Sequence, residues 1–214
     1  MMKVALFDMD GTLLDSMAQW RARAVLYAQS HGITLTDEQL KAVSQMTSFM
    51  GAQYVAKAYG LDYDVEEVTK LFMDSMIEAY RTTVTAKPYA KDYLDWLTAR
   101  GVKRGIATAT PRRLALPVLK RLNLLDSLDF VVTTPEERCA KDDPAFFHMM
   151  AKRLGVATQE CTMYEDALYA MQTARQAGCG VIGVADPTNE SMRDQIIACC
   201  DRFVYSFSEL MTEN

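Results

Sequence analysis

The sequence predicts an α/β protein: a doubly wound parallel sheet of Rossmann type that carries an inserted helical domain. Three observations predict it. Six short apolar runs, Lys3–Asp8, Arg104–Ala109, Phe130–Thr134, Cys161–Asp166, Gly180–Ala185 and Arg202–Phe207, are continuous rather than alternating, as strands covered on both faces are. Amphipathic helical stretches alternate with the later runs, the pattern of a parallel sheet. One connection, from residue 9 to residue 103, is far longer than a single crossover helix requires.

Taken in order, the first run leads into helical patterns over residues 17–31, 37–45, 48–59 and 65–82. A fifth, over 90–99, follows Lys87-Pro88 and is the crossover helix proper. Later helices are expected over 112–123, 144–155, 167–178 and 189–200, and Gly155 and Gly178 stop two of them. The domains are therefore set as a core of residues 1–15 and 87–214 and a helical domain of residues 16–86.

At roughly 100–200 residues per domain, a chain of 214 residues, half of them apolar, has ample material for a packed core. Its 23 basic and 28 acidic residues leave a formal charge of −5, without basic runs. That argues against nucleic acid or an anionic membrane as a partner. The five cysteines, odd in number and without a CxxC pair, are expected as buried thiols rather than a zinc site or disulfides. The start of the chain reaches Asp8 too early for a signal peptide, and no apolar run approaches the 18 residues of a membrane span. A soluble cytoplasmic protein is expected, and a monomer, since no long amphipathic seam is present.

In an open α/β sheet, ligands bind beyond the carboxyl ends of the strands. The first run ends in Asp8, followed by Met9-Asp10-Gly11-Thr12; the second ends at Thr108; the loop after the third carries Lys141; the fourth ends in Glu165-Asp166. Up to four carboxylates, a hydroxyl and an ammonium thus converge on one crevice. Two carboxylates 4 Å apart repel by roughly 4 kcal/mol at an effective dielectric near 20. Such a cluster calls for a cation, and all-oxygen ligands select a hard one, most simply Mg²⁺. A dication beside a carboxylate nucleophile, with Lys and Thr donors nearby, suits a phosphoryl group. Asp10 is placed to give the leaving oxygen its proton.

Asp8-Met9-Asp10-Gly11-Thr12-Leu13-Leu14-Asp15-Ser16 resembles the first motif of the haloacid dehalogenase superfamily. The resemblance continues through Thr108, Lys141-Asp142-Asp143-Pro144 and Glu165-Asp166, and spans nearly the whole chain in order and strand context. The insertion after the first strand resembles the helical cap of the phosphoglycolate-phosphatase and β-phosphoglucomutase branch. The resemblance implies Asp8 as nucleophile and metal ligand, and Asp10 as general acid and base that lends its backbone carbonyl to the metal. It implies Thr108, Lys141 and the backbone at Ala109 as phosphoryl-binding groups, and Asp166 with Glu165 as completing the metal site. Asp10 favours phosphoryl transfer over carbon–halogen cleavage. The mutases carry a His on the first cap helix where this chain reads Met17-Ala18-Gln19-Trp20-Arg21, which favours a phosphatase of a small phosphorylated metabolite. A phosphosugar mutase and a catalytically weak binding protein of the same fold are the alternatives. Asp142, Asp143, Ala167 and Ala170 depart from the family pattern.

Trp20, Ser44, Gln45, Thr47 and Arg112 are candidate substrate contacts, each with a plainer reading as core, linker or solvated surface. Met46, Met50, Met73 and Met76 fall at helical spacings and are expected in the core of the helical domain. Gly178-Cys179-Gly180-Val181-Ile182-Gly183 matches GxGxxG but follows a helix and opens a strand. It is therefore a cap and turn rather than a dinucleotide fingerprint.

Overall fold

The structure, a computed structural model, describes residues 2–44, 46 and 48–211. In chain order its strands are β1 (Val4–Phe7), β2 (Leu14–Asp15), β3 (Thr85–Ala86), β4 (Lys103–Thr108), β5 (Phe130–Thr133), β6 (Cys161–Glu165), β7 (Gly180–Val184) and β8 (Arg202–Val204). Its helices are α1 (Met17–Arg21), α2 (Arg23–Ser30), α3 (Asp37–Ser44), α4 (Ser48–Tyr59), α5 (Val65–Thr82), α6 (Ala90–Ala99), α7 (Arg112–Arg121), α8 (Thr134–Glu137), α9 (Pro144–Leu154), α10 (Leu168–Gln176) and α11 (Arg193–Cys199). The backbone separates into two compact units, Met1–Asp15 with Thr85–Asn214, and Ser16–Val84.

The first unit is built on a six-stranded sheet in the order β5-β4-β1-β6-β7-β8, every pairing parallel. From β1 the chain adds β4 and β5 on one side and then β6, β7 and β8 on the other, so the order of winding reverses between β1 and β6, and their carboxyl ends form the switch point where doubly wound sheets bind ligands. The six apolar runs are these strands. All four residues of β1 are fully buried, as expected of a central strand covered on both faces. Gly105 of β4 is obligatory for packing, since a Cβ there would lie 1.9 Å from the Phe130 ring. The last run is shorter than its apolar pattern suggests: β8 stops at Val204, because Ser206 turns the chain by accepting the Ser208 N–H.

The short antiparallel ribbon pairs Leu14 with Ala86 and Asp15 with Thr85, where the chain leaves this unit and returns to it. Gly178, at φ +89°, ends α10 and leads into β7, so the GxGxxG stretch is indeed a cap and turn. The five cysteines are free thiols, with Cys161 and Cys179 buried.

The helical unit closes its own core around Ala24, Tyr27, Val43, Val55, Val68 and Phe72. Asp64 caps α5 by accepting the Glu66 and Glu67 N–H groups at 2.7 and 3.0 Å. The methionine stripe is core only in part. Met76 is fully buried, whereas Met50 is 56% exposed on the outer side of α4. No helix among the described residues is long and apolar enough to cross a membrane.

Candidate active site

Strand register assembles the acidic centre. Phe7 is aligned with Tyr164 on β6 and with Ile106 on β4, so the next residues, Asp8, Glu165 and Ala107, lie side by side at or next to the carboxyl ends of the three strands. The Asp8 N–H extends the ladder by donating to the Tyr164 carbonyl at 2.9 Å. Beneath them the Phe7 and Tyr164 rings stack at 4.3 Å, and the Tyr164 and Tyr93 hydroxyls share a hydrogen bond of 2.6 Å. This aromatic floor fixes the two strand ends from which the acids project.

Asp8, Glu165 and Asp166 are all buried, and each offers an oxygen within 4.8 Å of the others. Lys141, 4% exposed, donates from Nζ to Asp8 Oδ1 and, at 2.7 Å, to Glu165 Oε2. Burial, with the neighbouring charge of Glu165, pushes the Asp8 carboxyl up to about 8. Asp166 is likewise driven well above the ordinary carboxylate range, by burial and then by Glu165 and Asp8. Burial works against the Lys141 ammonium, but the two carboxylates outweigh it and lift its pKa. Three carboxylates around one ammonium leave two uncompensated negative charges when all are ionised, in a pocket that desolvates them. The donor set is oxygen only. Both properties fit a hard divalent cation.

The turn after β1 folds back on itself, with the Gly11 N–H donating to the Leu14 carbonyl at 2.9 Å and the Leu13 and Leu14 N–H groups donating to Met9. Gly11 sits at φ +90°, and a Cβ there would lie 2.5 Å from Asp166 Oδ2, so only glycine lets this turn approach the acids. The turn directs the Asp10 side chain to the Thr110 hydroxyl, 2.7 Å away. Thr108 is buried at the end of β4, and its hydroxyl accepts the Thr110 N–H at 3.0 Å; Ala109 is exposed at the turn between them.

Among the departures from the family pattern, Asp143 has a local role. Asp143 caps α9 by accepting the Ala145 N–H at 2.8 Å, with Pro144 opening the helix, and Asp142 is exposed. Ala170 is fully buried on α10. Asp166 is held instead by groups from elsewhere. Asn189 Nδ2 donates to its Oδ2 at 2.7 Å and to its carbonyl at 3.1 Å, and the Thr12 hydroxyl donates to Oδ1 at 3.3 Å. Asn189, Thr12 and Thr110 were not singled out from the sequence. A signal for Asn189 existed: Asp186-Pro187 directly after a strand marks a turn at the carboxyl edge.

Of the candidate substrate contacts, Arg112 is committed locally, with Nε on Glu136 at 2.8 Å and Nη2 on the Val131 carbonyl at 2.8 Å. Trp20 is half-buried in the helical unit, where its indole N–H donates to the Tyr80 hydroxyl at 3.3 Å and its carbonyl accepts from Ser48. Gln45, Thr47 and the Ser44 side chain lie outside the described residues.

A profile of haloacid dehalogenase-like hydrolases matches residues 2–178. An N-acetylmuramic acid 6-phosphate phosphatase of Pseudomonas aeruginosa is 30% identical over 182 residues, covering 83% of this chain and 79% of that one. A phosphorylated carbohydrates phosphatase of Thermotoga maritima is 24% identical over 190 residues, 88% of each chain. Among solved structures, CbbY from Rhodobacter sphaeroides in complex with phosphate superposes with a TM-score of 0.79 at 18% identity, over 99% of this chain and 97% of that one, a likeness of fold. The matched segment contains Asp8, Lys141, Glu165 and Asp166, which register and topology gather at one end of the sheet, and by it the chain is an enzyme belonging to the haloacid dehalogenase-like hydrolases.

Proposed function

We propose that this enzyme is a Mg²⁺-dependent phosphatase that hydrolyses a small phosphorylated metabolite through an aspartyl-phosphate intermediate. The observation that carries the reading is the buried group of Asp8, Glu165 and Asp166 with Lys141 inserted among it, at the switch point of the sheet.

Asp8 is the nucleophile: its oxygen attacks phosphorus, and the bond from phosphorus to the leaving oxygen breaks. Asp10, oriented by the Thr110 hydroxyl, gives that oxygen a proton and then takes one from water. The water attacks phosphorus, the bond to Asp8 breaks, and inorganic phosphate and free Asp8 result. Thr108, the backbone at Ala109 and Lys141 bind the non-reacting phosphoryl oxygens. The Asp8 and Asp166 carboxylates and the Asp10 carbonyl would hold Mg²⁺, which when bound offsets the negative charge that the phosphoryl group adds.

Glu165 acts mainly on Lys141. Its Oε2 accepts the ammonium, and its Oε1 accepts the Asp166 and Ala167 N–H groups at 3.2 Å each, so both oxygens are already engaged. The helical unit is the substrate-selecting cap. The phosphatases named among the relatives act, by name, on phosphorylated sugars and sugar acids, which is the substrate class proposed for this chain.

The test is phosphate release from 4-nitrophenyl phosphate, with Mg²⁺ and with chelator, for the wild type and Asp8→Asn. Release that requires Mg²⁺ and disappears in Asp8→Asn is expected. Isomerisation of a hexose phosphate without net phosphate release would replace the reading by a mutase.

A further inference from the structure

A buried ion pair of the first unit lies outside the acidic centre. Lys87, which follows β3, donates from Nζ to Asp186 Oδ2 at 2.8 Å and to the Ala185 carbonyl at 3.0 Å. The two side chains are 11% and 1% exposed. The other Asp186 oxygen, Oδ1, accepts the Thr188 hydroxyl at 2.6 Å and the Thr188 N–H at 2.9 Å. The Asp186 carbonyl accepts the Asn189 N–H at 3.0 Å, and Asn189 Nδ2 in turn holds Asp166. Hydrogen bonds and turn backbone thus run without a break from Lys87 through Asp186 and Asn189 to Asp166.

Stability alone gives no reason for this pair. Desolvating two charges costs about what their attraction returns, and apolar side chains of similar volume often fold as well or better. What a buried pair with its partners in place supplies is a single geometry. The turn needs one, because it borders a cavity of about 270 Å³ lined by Val184, Ile196, Phe203 and Tyr205 as well as by Asp186 and Asn189. Packing around the turn is therefore incomplete. Lys87 is itself fixed, since its N–H donates to the Leu13 carbonyl at 2.8 Å, in the turn that follows Asp8. One lysine thus ties the turn after β1 to the turn after β7.

We propose that Lys87 and Asp186 are positioning residues for Asp166: their ion pair sets the Asp186–Asn189 turn, and Asn189 carries that setting to the carboxylate that would hold Mg²⁺. The inference rests on the reading of Asp166 as a metal ligand and extends it to two residues that reach Asp166 through Asn189. Charge and geometry pull in opposite directions at Lys87. Removing the ammonium leaves the charge of Asp186, which already bears on Asp166, without its counter-ion, and by itself that would draw a cation more strongly. Releasing the turn would instead loosen the hold on the cation.

Calorimetric titration of Mg²⁺ into the metal-free protein tests it, with Tm measured alongside. Lys87→Met should bind Mg²⁺ about tenfold more weakly than the wild type, and Lys87→Arg, which keeps the charge and the donors, should recover part of that loss. In Asn189→Ala the connection is already cut, so adding Lys87→Met should lower affinity no further. Equal or tighter binding by Lys87→Met would overturn the positioning role, and a lower Tm beside it would mark the pair as structural. Losses that add in the double variant would overturn the route through Asn189. Should Lys87→Met not fold, Thr188→Val, which removes the hydroxyl from Asp186 Oδ1, should show a smaller loss in the same direction, and unchanged binding there would overturn the proposal. A wild type that binds no Mg²⁺ would remove the metal reading and this inference with it, whereas wild-type binding that the Lys87 variants retain in full removes the inference alone.

Discussion

At the scale of single residues, the buried acids set the chemistry and its pH dependence. Removing the proposed nucleophile by Asp8→Asn should lower turnover by at least about a thousandfold, measured as phosphate release under saturating Mg²⁺. Native Asp8 keeps its proton up to about 8, whereas an unfolded aspartate releases it near 3.8. Between those values the native state binds more protons than the unfolded state, so stability must fall as pH rises. Calorimetry of the metal-free protein should therefore show Tm dropping from about pH 5 to about pH 8. Asp8→Asn should flatten that slope, and added Mg²⁺ should oppose it; a Tm that rises over this range would contradict the buried-acid account. Asn189 is the less obvious member of the site. Asn189→Ala removes two hydrogen bonds to Asp166, and a titration of activity against Mg²⁺ should show apparent affinity reduced by about 10- to 100-fold.

At the scale of elements, the site depends on strand ends held in register and on helix starts that fix the loops. Lys141 lies just before α9, whose first turn is set by Asp143. Asp143→Ala should lower stability by about 1 kcal/mol in a denaturant titration. It should leave the proposed Mg²⁺ requirement unchanged, because the Asp143 carboxylate is exposed and turned to its own helix. The apolar runs, the helical periodicities and the terminal glycines made nearly every core element legible, since strands buried on both faces and capped helices leave strong local patterns. The exceptions have local causes. Met50 obeys a helical spacing but lies on the outer side of its helix, because spacing defines a stripe and not the direction it faces. The apolar run after Arg202 outlasts its strand, because the Ser206 hydroxyl competes for the backbone.

At the scale of the whole molecule, the chain leaves the first unit after Asp15 and returns at Thr85, through a ribbon whose strands already pair as a hairpin would. Joining Asp15 to Thr85 by an Asn-Gly turn in place of the helical unit should leave a core that unfolds cooperatively. Under the proposed division of labour, that core should still hydrolyse 4-nitrophenyl phosphate while its rates on different phosphorylated metabolites converge. Loss of aryl phosphate turnover in a folded core would show that the helical unit supplies more than selection.

The order of strands and helices, the strand-end positions of Asp8, Thr108 and Glu165-Asp166, and Lys141 in a loop were all legible in the linear chain. They depend on local pattern and on a topological rule that holds for any doubly wound sheet. What holds Asp166 was decided only in three dimensions. Asn189 and Thr12 reach it from opposite ends of the chain, and neither separation leaves a periodic trace. The same is true of Arg23, whose buried Nε meets no partner among the described residues. An arginine on a helix reads as solvated surface until packing against α5 removes it from water and leaves it a thioether for a partner. Local propensity writes the elements; burial, which depends on every other residue at once, determines which of their polar groups are left to meet a ligand.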